Sequence, residues 1–283
     1  MKSFAHSRYL TRSMFLVPAV ATAIGLSGLL TLMMPASATP GSGQPDEGKP
    51  TIVLVHGSWA DASGWTGVVK QLQRKGYPVI APANPLRSLS GDSSYIASVL
   101  ASVEGPIVLV AHSYGGAVIT NAAAGNPNVK ALVYIAGFAV ANGESLLGLL
   151  EDFPGSQALA ALRTVPYPLP DGSEGIDTYL MQDKFHDVFV QDVTPHTAAA
   201  LAATQRPATF ASFEEPSGTA AWETIPSWYL IPQQDRVIPP DAQRFMAERA
   251  GSYTVEVKGS HAIMVSKPDE VLELIERAAT SVD

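Results

Sequence analysis

Residues 108–118 read VLVAHSYGGAV. An apolar run fit for a buried strand ends, Ser113 follows at once, and two glycines precede a return to small apolar residues. A serine in such a place is a turn residue, a helix cap or a nucleophile. The stretch AHSYGG (111–116) is one residue away from the pattern G-x-S-x-G. In that pattern the serine occupies a strained turn between strand and helix. The residues two before and two after it must be small because the two elements cross closely. Gly115 meets the second requirement, and Ala111 stands where glycine is usual, a departure of one methyl group. A helix cap is the plainer reading. A cap, however, has no need of Gly115 and Gly116 just inside the helix, where each costs about 1 kcal/mol relative to alanine. Two such costs at one helix start point to steric necessity and favour the nucleophile.

Outward from this segment, short apolar runs alternate with helical patterns. TIVLV (51–55), PVIAP (78–82), PIVLVA (106–111), ALVYIAGF (131–138), SWYLIP (227–232) and YTVEV (253–257) read as strands. They are near-continuous rather than alternating, as when both faces of a parallel sheet are covered. Between them GWTGVVKQLQRKG, DSSYIASVLASVEG, YGGAVITNAAAG, DAQRFMAERAG and KPDEVLELIERAAT carry apolar residues at three- and four-residue spacing. Several end at glycine, a common helix stop. The alternation predicts an α/β fold: a doubly wound, mostly parallel sheet of about six core strands with helices on both faces. The interval between Phe138 and Ser227 is too long for a plain crossover. A lid over 142–216 is expected, with a hairpin around Tyr179 and a helix at 196–205, inserted into a core of 51–141 and 217–283.

A nucleophilic serine needs a base, and the base needs an orienting acid. With a nucleophile elbow the order is serine, acid, histidine, each after a strand. SWYLIP is followed by QQDRVIPP, which places Asp235 just beyond a strand end. YTVEVKG is followed by SHAIMV, which places His261 on the next loop. Three residues in the required order at strand ends make Ser113, Asp235 and His261 the expected catalytic set. Glu144, after the strand that precedes the lid, is the second candidate for the acid. His56 and His112 lie beside turns and are read as packing locally, and His186 and His196 fall in the lid. Asp241 reads as a helix start, where a carboxylate suits the dipole. The oxyanion donors are expected from the backbone N–H of Tyr114, after the nucleophile, and of Ser58, in HGSWADASGW after the first strand. Trp59, Phe138, Phe185 and Met264 are the expected apolar lining of the substrate pocket.

On the residues VLVHGSW, AHSYGG, QQDRVIPP and KGSHAIMVSKPDEV, the chain from 51 to 281 resembles the α/β-hydrolase superfamily. More narrowly it resembles the small-lid branch of plant methylesterases, salicylate-binding esterases and hydroxynitrile lyases. The resemblance implies that Ser113, Asp235 and His261 correspond to the triad, and Ser58 and Tyr114 to the oxyanion donors. Family members with a full sheet carry two antiparallel strands before the HG strand, for which the residues ahead of Thr51 leave little room. Hydroxynitrile lyases carry a lysine directly after the catalytic histidine, where it stabilises departing cyanide. Ala262 stands there in this chain, so the lyase reading lacks its charge carrier.

Composition narrows the rest. The 283 residues contain no cysteine, which excludes disulfides, thiolate catalysis and cysteine metal sites. A formal charge of -8 and a pI near 5.2 argue against a nucleic-acid partner. No H-E-x-x-H or H-x-H suggests a metal, and no G-x-G-x-x-G follows the first strand, so no cofactor is expected. Lys2, Arg8 and Arg12, an uncharged run from Met14 to Met34, and Ala36 and Ala38 in A-x-A spacing have the order of a secretory signal over 1–38. The alternative is an uncleaved anchor, since 21 apolar residues span a bilayer. Cleavage after Ala38 removes three of 18 basic residues and leaves 15 against 26 acidic, a net -11, with no stable membrane association. Residues 39–50 read as a flexible leader. The expectation is a secreted or periplasmic serine carboxylesterase acting on small or medium esters. A lyase or cofactor-free perhydrolase using the same triad is the alternative, and a ligand-binding receptor on the same scaffold is the alternative of another class. The sequence leaves the natural substrate and the oligomeric state open.

Overall fold

The computed structural model describes residues 48–282. The signal segment expected over 1–38, and all but the last three residues of the leader expected over 39–50, lie outside the described residues. In chain order the elements begin β1 (Thr51–Val55), α1 (Thr66–Arg74), β2 (Val79–Ile80), α2 (Leu89–Ala101), β3 (Ile107–His112), α3 (Tyr114–Ala122) and β4 (Val129–Ile135). Next come α4 (Leu146–Asp152), β5 (Leu162–Pro168), β6 (Glu174–Leu180), α5 (Gln182–Phe189), α6 (Pro195–Ala203), β7 (Ala208–Thr209) and α7 (Ala211–Glu214). The chain ends with β8 (Ser227–Pro232), α8 (Pro240–Arg249), β9 (Tyr253–Val257), α9 (Ile263–Ser266) and α10 (Pro268–Ala279).

Six strands form one parallel sheet in the order β2-β1-β3-β4-β8-β9. All six residues of β3 are buried, as a central strand covered on both faces requires. The chain steps from β1 outward to β2, then returns across β1 to β3 and continues the other way. With right-handed crossovers, this reversal puts α1 on one face and α2 and α3 on the other. The packing agrees, because α1 lies against α10 while α2 lies against α3. The helices are held by their apolar stripes and caps. Val68 and Leu72, four apart, are the buried residues of α1, and Gly76 ends it at φ 81°; Ser88 caps α2 by accepting the Gly91 N–H. The reversal leaves a crevice beyond the carboxyl ends of β1 and β3, the place where open α/β sheets bind ligands.

The strand expected at 131–138 starts at Val129 and stops at Ile135, because Ala136 takes φ 45° and turns the chain toward the sheet's end. The one expected at 78–82 is reduced to a two-residue edge strand, Val79–Ile80. Between β4 and β8 the chain builds a separate antiparallel sheet, β5-β6-β7, flanked by α4 to α7. Tyr179 lies in β6, opposite Arg163 of the β5–β6 hairpin, and the helix expected at 196–205 is α6.

Candidate active site

Ser113 is the corner between β3 and α3, at φ 55° and ψ -125°. A non-glycine residue there stores on the order of 1–3 kcal/mol of backbone strain, and the surroundings must over-determine it. They do. The Ser113 N–H donates to Ile135 O, while the Ser113 carbonyl accepts from Phe138 N at 3.1 Å and Gly116 N at 2.9 Å. The two glycines after the serine are dictated by crowding. A Cβ on Gly115 stands 2.9 Å from the carbonyl oxygens of Val55 and His56, and one on Gly116 stands 2.6 Å from Phe138 N. Helix α3 is pressed against backbone on two sides, and only glycine fits. Ala111 is fully buried and β3 runs unbroken past it, so the extra methyl is accommodated. The serine's side chain makes no capping bond to α3, contrary to the cap reading.

Gly57 is fixed in the same way, since a Cβ on it lies 2.6 Å from Ser113 Cβ. His56 holds the loop in place. Its Nε2 accepts the Asn84 N–H at 2.9 Å, so its Nδ1–H donates to Gly57 O, also at 2.9 Å. Burial pushes its pKa down to about 4, which keeps the ring neutral. The loop then passes through Trp59 at φ 57°. Positive φ at Trp59, Ser113 and Ala136 thus marks the ends of three adjacent strands. Neither the Ser58 nor the Tyr114 N–H is engaged by another group among the described residues.

His261 is completely buried, and its Nδ1 lies 2.7 Å from Asp235 Oδ2. Asp235 is held by neutral donors on its other positions. Oδ1 accepts from Val237 N at 2.7 Å and Ile238 N at 2.9 Å, and Oδ2 also accepts from Gln243 Nε2 at 2.8 Å. With Nδ1–H given to the carboxylate, Nε2 carries the free lone pair, and no protein group hydrogen-bonds to it. His112, next to the serine, packs its ring at a tilt, 4.6 Å from that of His261, and donates Nε2–H to the His261 carbonyl at 3.0 Å. Burial, then the neighbouring His261, keeps the His112 pKa well below the usual value, so it supports the histidine without competing for the proton.

Glu144, the second candidate acid, is placed otherwise. Its carboxylate grips the Arg249 guanidinium at 2.5 and 2.8 Å and accepts the Ala141 N–H. Burial raises its pKa, but the Arg249 hydrogen bonds and the Ala141 N–H outweigh that and bring it below the usual value. His186 bonds Val193 O within the insertion, and Asp241 sits in the first turn of α8.

Ser58, Trp59, Ser113, Tyr114 and Phe138 line one cleft. Phe185 and Met264 do not line it. They line an adjoining cavity that shares Trp59 and is walled by Phe189, Leu201 and Ala262. Leu146, Leu147 and Leu150 of α4 and Phe213 of α7 also line the cleft with Ser113, and the sequence reading does not single them out. Phe213 packs against both Trp59 (5.7 Å) and Tyr114 (6.2 Å), and Phe189 lies edge-on to His261 at 5.0 Å. The three leucines follow a one-turn stripe in LLGLL, the only sequence signal for any of these contacts. Trp59 Nε1–H donates to Thr178 Oγ1 of β6, and Tyr114 Oη–H donates to the buried Asp92. The Ser58 side chain differs from these. It is 2% exposed, and its Oγ has no hydrogen-bond partner, an omission that costs about 1–3 kcal/mol for a buried hydroxyl.

Residues 52–274 match the alpha/beta hydrolase family. The chain belongs to that family. Among curated relatives, the alpha/beta hydrolase nvfD of Aspergillus novofumigatus is 31% identical over 254 residues, covering 82% of this chain and 97% of that protein. A pyrethroid hydrolase of Sphingobium wenxiniae is 27% identical over 79% of this chain and 85% of its own length. Among solved structures, polyneuridine aldehyde esterase superposes with a TM-score of 0.70 at 20% identity, over 81% of this chain and 98% of its own. The last likeness is one of fold. The six-stranded sheet and strand-end residues described above are thus carried by an alpha/beta hydrolase, and among its described residues no cluster of His, Asp or Glu is placed to hold a metal ion.

Proposed function

We propose that this alpha/beta hydrolase is a serine carboxylesterase acting on small to medium esters with apolar substituents. The observation that carries the reading is the buried Asp235–His261 pair, which leaves Nε2 unpartnered, together with a serine forced into a strained turn whose carbonyl and N–H are both tied down. Nε2 of His261 takes the proton of Ser113 as Oγ attacks the ester carbonyl. The oxyanion receives hydrogen bonds from the Ser58 and Tyr114 N–H groups. Collapse of the tetrahedral intermediate breaks the carbon–oxygen bond of the alcohol, which leaves with the proton from His261. Water then attacks the acyl-enzyme carbonyl as His261 Nε2 takes its proton, and the second tetrahedral species breaks the bond to Ser113 Oγ, which regains the proton from His261 as the carboxylic acid leaves. Asp235 keeps the imidazole in the tautomer this sequence needs and favours the imidazolium that forms.

The cleft supports an apolar acyl or alcohol group, since leucines, phenylalanines and valine make most of its wall. The relatives' names, a pyrethroid hydrolase and an esterase among them, are in keeping with ester cleavage. The elements between β4 and β8 act as the lid in this reading, because α4 and α7 supply much of the cleft wall. The test is p-nitrophenol release from acyl esters of rising chain length by the wild type and Ser113→Ala. Turnover in the wild type, with a loss of at least about 10⁴-fold in the variant, is expected. Equal release by both proteins removes Ser113 from the mechanism.

A further inference from the structure

The Ser58 side chain is the polar side chain of the cleft lining that is both buried and unpaired while taking no part in the proposed proton transfers. Its Oγ is buried and has no partner in the protein, and the residue lines a cleft together with Ser113 and Tyr114. Three other polar side chains at the cleft are satisfied: Trp59 by Thr178, Tyr114 by Asp92, and Thr178 by Ala208 O. A buried hydroxyl left unpaired destabilises the fold, and an alanine there removes the penalty without leaving a large cavity. Its backbone neighbour fixes where it can act. The N–H of the same residue is free, and the loop that carries it is locked by His56 and by the Gly57–Ser113 contact.

We infer that Ser58 Oγ–H is a third hydrogen-bond donor to the oxyanion, acting beside the Ser58 and Tyr114 N–H groups. The inference rests on the serine-esterase reading and deepens it. Negative charge on the carbonyl oxygen exists only while the tetrahedral species is present. The hydroxyl therefore gains its partner at the transition state, and the penalty it carries in the resting enzyme is relieved there. This is differential binding of the transition state, which raises kcat and leaves substrate affinity nearly unchanged.

The test compares wild type, Ser58→Ala, Ser58→Thr and Ser113→Ala on one p-nitrophenyl ester. Two further readouts are inhibition by a simple alkylboronic acid, which forms a tetrahedral anion on the serine, and thermal unfolding. Loss of one oxyanion donor of two costs about 10²–10³ in kcat, so loss of one of three predicts a fall of about 10- to 100-fold in Ser58→Ala. KM should hold, boronate affinity should weaken in parallel with kcat, and Tm should equal or exceed that of the wild type. Ser58→Thr, which keeps the hydroxyl, should recover most of both kcat and boronate affinity. An unchanged kcat and boronate affinity in Ser58→Ala overturns the inference, and so does a parallel fall in kcat and Tm. Should Ser113→Ala remain active, the esterase reading itself fails, and the two failures are told apart.

Discussion

The loops after β4 and β8 leave neighbouring strands, and each carries a carboxylate, yet the two carboxylates have opposite fates. Glu144, on the first, is clamped in two bonds by the Arg249 guanidinium at the end of α8. Asp235, on the second, meets only two backbone N–H groups, the Gln243 amide and His261. A carboxylate already neutralised by a guanidinium has little field left for an imidazolium. One held by neutral dipoles keeps its charge for the histidine while its lone pairs are satisfied. In the proposed mechanism the acid is thus marked by what does not hold it as much as by what does. The loop after β4 is instead tied into the fold. Phe138 supplies a backbone bond to Ser113, and Glu144 ties the start of the insertion to α8.

The largest expected effect separates the two carboxylates. Asp235→Asn removes the charge and the acceptor that fixes the tautomer of His261, and kcat should fall by about 10⁴-fold with the fold intact. Glu144→Gln should leave kcat near the wild-type value and weaken the fold by about 1 kcal/mol, as for a half-buried ion pair. Paired steady-state kinetics and urea unfolding decide it. A collapse of kcat in Glu144→Gln with Asp235→Asn unharmed would reverse the assignment of the two loops.

A smaller effect tests the claim that the loop after β4 is structural. Gly116→Ala gains about 1 kcal/mol of helix propensity in α3. It also drives a methyl to 2.6 Å from Phe138 N and 2.8 Å from Phe138 O, backbone atoms that cannot step aside. Overpacking of this kind costs about 1–3 kcal/mol or more, so the net change should be destabilising. A variant more stable than wild type in urea unfolding would show that the loop yields and that its close approach to the elbow is not required.

Much of this was legible because the physics was local. Six strands and the helices between them follow from runs of apolar residues and their spacing, and glycines at 115 and 116 betray a crowded elbow before any contact is seen. Asp235 and His261 are legible because a strand end is a place on the chain as well as in space. The insertion was less so. β5 reads LRTVPYP with its faces only partly buried, two prolines and no clean alternation, so no period announces it. Phe213 and Phe189 reach the site through the path of the insertion, which no spacing encodes. Phe185 and Met264 went to the adjoining cavity for the same reason: proximity to His261 in sequence, or to the insertion, did not fix which side of Trp59 they would line. Ser58 Oγ needed the structure, since a missing partner is invisible in a sequence.

The smallest effect sharpens the comparison through pH. Arg249 and the Ala141 N–H hold the Glu144 carboxyl below the usual glutamate range. A group whose folded pKa is depressed contributes stability that is fully present above its unfolded value, about 4.3, and is lost as the pH falls through the folded value. The stability gap between wild type and Glu144→Gln should therefore be flat from neutral pH down to about 5 and should shrink below about 4. The guanidinium stays charged throughout, so only the carboxylate moves. Urea unfolding of the two proteins at stepped pH measures the gap directly. A gap that persists unchanged into strong acid means that the two-bond clamp works through geometry alone, and the contrast with Asp235 then rests on hydrogen-bond partners rather than on charge.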